Sequence, residues 1–104
     1  MRTLEFLITG QTISIAPGCD TNGLVAGSVG YLKAVFHMDS AWQGCKIAAS
    51  FWNGSKEYAV LVRNGTCEIA AEALTGHIFG VSLTGAKDNY RIQTNKLQLY
   101  QEVL

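Results

Sequence analysis

Apolar and polar residues alternate in short runs along the whole chain, the period of half-buried β-strands. Leu4, Phe6 and Ile8 alternate with Thr3, Glu5 and Leu7, and Ile13 and Ile15 follow after Gly10. Two opening strands are therefore predicted. Pro17 to Gly23 then concentrates turn formers, holds the only proline, and reads as an exposed connection and the first candidate for mobility. Val29–Met38 predicts a longer strand, with Leu32, Ala34, Phe36 and Met38 on one side and Tyr31, Lys33, Val35 and His37 on the other. Asp39–Gly44, containing Trp42 and Gly44, turns the chain into the next strands.

The best-determined stretch carries two Asn-Gly dipeptides, Asn53-Gly54 and Asn64-Gly65, between alternating runs. Asn and Gly tolerate the positive φ of a tight hairpin, so the pattern predicts a three-stranded antiparallel meander. With both dipeptides as two-residue loops, Phe51 faces Lys56, Ala49 faces Tyr58, Val62 faces Cys67 and Val60 faces Ile69. Moving the first loop to Gly54-Ser55 shifts partners by two positions and keeps the faces, whereas a one-residue slip of a strand would turn its apolar set outward. One face then reads Ile47, Ala49, Phe51, Tyr58, Val60, Val62, Cys67 and Ile69. The other is mostly polar but includes Trp52 and Leu61.

Ala70–Leu74 has the composition of a single helical turn, with Gly76 as its expected C-terminal cap. Phe79, Val81 and Leu83 form another alternating run, and Gly85–Asn89 reads as a polar turn. Arg91–Tyr100 predicts a last strand in which Ile92 and the pair Leu97 and Leu99 are out of phase, so a bulge or bend is expected near Thr94-Asn95. The whole predicts an all-β protein: an antiparallel Ig-like β-sandwich of about seven to eight strands with one short helical turn. With 104 residues, a single domain spanning 1–104 is expected.

Eight basic and eight acidic side chains, spread along the chain, give a formal net charge of zero. That balance argues against nucleic acid and anionic membranes as partners. The apolar runs are too short to span a bilayer as a helix, and Glu5 stands where a secretory signal would need its apolar stretch. Synthesis in a cytoplasm is expected. Cys19, Cys45 and Cys67 are odd in number and lack Cys-x-x-Cys spacing, which predicts free thiols and neither a disulfide framework nor a zinc site.

Chemistry-bearing residues are sparse. His37 and His77 stand alone in sequence, without a carboxylate or cysteine at ligand spacing, so ordinary strand histidines are the expected reading. Cys67 falls on the apolar face, where a thiol is protonated and inert. Gly23–Gly30 has the look of a phosphate loop, yet no lysine follows its second glycine and a strand comes next. Asn53-Gly54-Ser55 and Asn64-Gly65-Thr66 match the N-glycosylation pattern, but hairpin chemistry already accounts for both. No catalytic residue, metal ligand or cofactor is assigned. Trp52, with Tyr31 and Tyr90, is the candidate aromatic surface, suited either to a sugar ring or to a second packing layer.

From about Val29 to Tyr100 the order of landmarks resembles a small β-sandwich module of tail and baseplate proteins of phages infecting Gram-positive bacteria, the type at the N-terminus of baseplate upper proteins. The residues carrying it are Tyr31-Leu32, Trp42-Gln43-Gly44, Ala49-x-Phe51-x-Asn53-Gly54, Tyr58-x-Val60-Leu61, Asn64-Gly65-Thr66-Cys67, Glu72-x-Leu74, Phe79–Leu83 with Gly85, and Arg91-Ile92-x-Thr94-Asn95. Residues 1–23 lie outside it, and Ala70 replaces the proline usual before the helical turn. The resemblance implies a non-enzymatic virion protein: an assembly or docking module of a tail, baseplate or capsid surface, present in many copies beside other virion proteins as a homo-oligomer. The rival reading is a carbohydrate-binding module using Trp52, Tyr31 and Tyr90. Lys96–Leu104 is apolar and β-prone, so an edge there needs pairing within the fold or by a neighbour. Leu97, Leu99, Tyr100, Val103 and Leu104 are the candidate assembly edge.

Overall fold

The computed structural model describes residues 1–104 and contains nine strands. They are β1 (Arg2–Thr9), β2 (Thr12–Ile15), β3 (Leu32–Met38), β4 (Lys46–Asn53), β5 (Lys56–Val62), β6 (Thr66–Glu68), β7 (Ile78–Lys87), β8 (Tyr90–Gln93) and β9 (Leu97–Tyr100). Two sheets pack as a sandwich. One has the order β2-β1-β3-β6, the other β5-β4-β7-β8, with β9 beside β7 beyond the end of β8.

Alternation decides which side chains fill the space between the sheets. Leu4, Phe6, Ile8, Ile13, Leu32, Ala34 and Phe36 enter it from the first sheet and Ala49, Phe51, Phe79, Val81, Leu83 and Leu99 from the second. Phe6 and Phe36 stack across β1 and β3 with centroids 5.3 Å apart. Burying side chains of this size stabilises by roughly 1.5–3 kcal/mol each, against about 0–1 kcal/mol for an exposed surface pair such as His37 with Glu5. The core therefore carries the fold.

The first hairpin uses the Gly54-Ser55 loop. Asn53 pairs with Lys56, Phe51 with Tyr58 and Ala49 with Val60, and Gly54, at φ +61°, takes the first central position that a type II′ loop keeps for glycine. The faces are as expected because the shift from the Asn53-Gly54 register is two residues. Asn64 and Gly65 do form a two-residue loop with both φ positive, at 53° and 74°. The meander itself does not form. Only Arg63 and Thr66 pair across that loop; β6 then joins β3 in the other sheet, with Cys67 opposite Ala34. Cys67 and Ile69 still point inward, since either arrangement buries the same alternate residues.

A second departure lies in the first sheet, where β1 and β3 run parallel, from Arg2 opposite Leu32 to Ile8 opposite Met38. A parallel neighbour needs a long crossover, and the 16–31 segment supplies it without regular secondary structure. Arg2 clasps that segment, its guanidinium donating to the carbonyls of Asp20 (2.9 Å) and Asn22 (2.7 Å). The strand expected from Val29 begins at Leu32.

Three smaller features have local causes. The helical turn is a 3-10 turn over Ala71–Leu74 that ends at Thr75, and Gly76 is not in the left-handed region. Strand β7 runs through Gly85 to Lys87, so the turn is confined to Asp88 and Asn89. Gly85 is buried because Trp42 needs the space: a Cβ there would lie 2.9 Å from the indole. The expected phase break falls at 94–96, where Thr94 exchanges hydrogen bonds with Leu83 through its Oγ1 and its backbone N–H.

Candidate functional site

In an antiparallel ladder successive residues turn their backbone groups alternately toward and away from a given neighbour. Arg63 exchanges both backbone bonds with Thr66 on the side of β5 opposite β4. Leu61, Ala59 and Glu57 share that direction, and no strand lies there, since β5 is the outer strand of its sheet. Leu61 is 62% exposed on the solvent face of the same strand. The edge is seven residues long with charges only toward its ends, at Lys56 and Glu57 and at Arg63 just beyond, so its middle lacks the usual protection against pairing.

The candidate assembly edge near the C-terminus divides in two. Leu99 is 5% exposed and Leu97 packs against the core, so both side chains are used internally. The backbone beyond them is also tied down: Gln101 N–H donates to His77 O, Glu102 N–H to Leu24 O, and Ala26 N–H to Glu102 O. Gln101 is buried, and its Nε2 reaches the carbonyls of Leu74 and Gly76. Tyr100 at 68%, Val103 and Leu104 remain exposed. Because Gln101 bonds toward β7, alternation turns the backbone groups of Tyr100 and Gln98 to the open side of β9.

The three candidate aromatics do not meet. Trp52 lies on the outer face of the second sheet, level with Gly80, and Tyr90 lies level with Lys87. Seven residues along β7 separate those levels, about 23 Å at 3.3 Å per residue. Tyr31 flanks the other sheet, where its carbonyl accepts from Arg2 N–H. The Trp52 indole N–H donates to Ser82 Oγ at 3.1 Å, and Lys96 Nζ sits 3.9 Å above the ring centroid. The lysine side chain lies over Gly80, where no side chain competes with it.

Trp42 is wholly structural, buried and donating from Nε1 to Gly10 O at 2.8 Å. Gly44, at φ +78°, completes its turn beside Lys87. His37 bonds Glu5 at 2.9 Å on the outer face of the first sheet, and His77 is exposed at the start of β7. Burial pushes the Cys67 thiol from 9.0 up to about 12, which keeps it protonated. The three cysteines are free. No helix is long and apolar enough to cross a membrane.

The open edge of β5 is the feature that sequence reading missed. Its signal was Leu61, an apolar residue on an otherwise solvent-compatible face. No family model, curated protein or solved structure matches the chain.

Proposed function

We propose that this is a non-enzymatic structural protein of a phage virion, an assembly or docking module of a tail, baseplate or capsid surface that forms homo-oligomers and meets other virion proteins through its sheet edges. The observation that carries the reading is the edge of β5, where Glu57, Ala59 and Leu61 present unpaired backbone groups beside an exposed leucine. An unblocked edge of this length is a template for pairing with another chain. The ordered landmarks from Tyr31-Leu32 to Thr94-Asn95, which resemble those of phage sandwich modules, suggest the class of assembly. The chemistry-bearing side chains fit a scaffold: one histidine bonded to a surface glutamate, one buried and protonated thiol, and no group of three or more His, Cys, Asp or Glu placed to hold a metal ion.

The carbohydrate-binding alternative ranks below this, because Lys96 already covers the Trp52 face that a sugar ring would use. Sedimentation of the purified protein tests the assembly reading. A discrete multiple of the 11.2 kDa chain mass is expected. A single 11.2 kDa species up to high concentration, with no association to other virion proteins, contradicts it.

A further inference from the structure

The edges of β5 and β6 start together at the Arg63–Thr66 rung and separate as they enter different sheets. Between them opens a groove of about 650 Å³ lined by Val29, Tyr58 and Val60 among apolar residues, and by Glu57, Glu68 and Glu72. Its size is that of a ligand cleft. Both walls carry unpaired backbone. On β5 these are the groups of Glu57 and Ala59. On β6, Ile69 N–H bonds Leu32 O and Phe36 N–H bonds Gly65 O, which by alternation turns the N–H and C=O of Glu68 away from β3 and into the opening.

The charge of the groove has one sign. Three glutamates are among its lining residues and no lysine or arginine is. Lys33 stands opposite Glu68 in register without a salt bridge to it; the one close pair of that kind is His37 with Glu5, elsewhere on the surface. The Ser50 hydroxyl donates to the Glu57 carboxylate. Val29, 79% exposed, extends the apolar floor to the edge of the opening.

We propose that this groove receives an extended segment of a partner protein in which apolar residues alternate with lysine or arginine. Main-chain hydrogen bonds to Glu57 and Ala59 on one wall and Glu68 on the other supply the pairing, the mode by which a strand is added to an open sheet edge. Apolar side chains of the segment settle on Tyr58, Val60 and Val29, and its cations meet the three carboxylates. The proposal rests on reading the chain as an assembly module and names one docking surface of that module together with its partner's chemistry.

The test uses a short fluorescent peptide alternating valine and lysine, the same peptide with glutamate for lysine, and the lysine peptide N-methylated at alternate residues. Anisotropy should show binding by the lysine peptide alone, weakening as salt is raised, with amide shifts in NMR spectra confined to 57–60 and 68–72. The combined variant Glu57→Gln, Glu68→Gln and Glu72→Gln, whose sites are all exposed, should weaken binding by about tenfold or more while leaving the melting curve in place. Equal binding of the three peptides, shifts centred on another edge, or shifts produced by the protein's own concentration overturn the proposal. Mass measured on the same samples separates the two readings: a multimer that ignores the peptide loses only the groove, and a monomer that takes it keeps the groove without self-assembly.

Discussion

Arg63 and Thr66 exchange both of their backbone hydrogen bonds, each at 3.0 Å, and the two strands that leave them do not pair again. One rung holds the point where the chain passes from one sheet to the other. The loop closing it is where substitution should be felt. Gly65 sits at φ +74°, and a Cβ there would lie 3.2 Å from the Phe36 carbonyl oxygen, a backbone atom with little freedom to move. Gly65→Ala should cost about 1–3 kcal/mol in urea unfolding, whereas Asn64→Gly, exposed and already at positive φ, should stay within about 0.5 kcal/mol.

Gly85 and Gly80 make a matched pair on β7. A methyl at Gly85 meets the rigid Trp42 ring at 2.9 Å, and one at Gly80 meets the flexible Lys96 stem at 2.8 Å. Gly85→Ala should lose about 1–3 kcal/mol by overpacking. Gly80→Ala should lose less and should displace Lys96 from Trp52, seen as a change in indole fluorescence.

Cys67 links stability to high pH. Its folded value of about 12 lies above 9.0, so between them the native state holds a proton that the unfolded chain releases. The contribution is intact below 9.0 and is lost as pH climbs toward about 12. Denaturation midpoints of the wild type should therefore fall more steeply above pH 9.0 than those of Cys67→Ala. In native protein, a thiol reagent should modify the half-buried Cys19 and Cys45 well before Cys67.

Asn95 bridges the two sheets at one end, its side-chain oxygen accepting from Ile13 N–H at 2.9 Å and its backbone N–H donating to Gln11 O at 3.1 Å. Asn95→Ala leaves the Ile13 donor unpaired and should cost about 1–3 kcal/mol. The Ile13 amide should also exchange faster in that variant.

Much of this arrangement was present in local pattern. Alternation placed Phe6, Phe36, Phe51 and Leu83 in the core, and the phase change between Ile92 and Leu97 located the break between β8 and β9. What alternation does not encode is the partner of a strand. Val62 and Cys67 face inward whether β6 continues the meander or crosses to β3, so the same residues permit both. The parallel pairing of β1 with β3 was equally silent, because the 16–31 crossover carries no periodic signal. At the candidate edge, Leu97 and Leu99 are apolar because β9 packs on the core, and only the tertiary structure separates that demand from the exposure of Tyr100. The groove between β5 and β6 was invisible for a related reason: Glu57, Glu68 and Glu72 come together only once the meander is broken.

Backbone amide exchange at the open edges tests the central claim, assembly through sheet edges, most directly. The amides of Glu57, Ala59 and Leu61, or those of Gln98 and Tyr100, should exchange rapidly in dilute protein and become protected as concentration is raised or as phage structural proteins are added. Rapid exchange at all five positions under every one of those conditions would contradict the account.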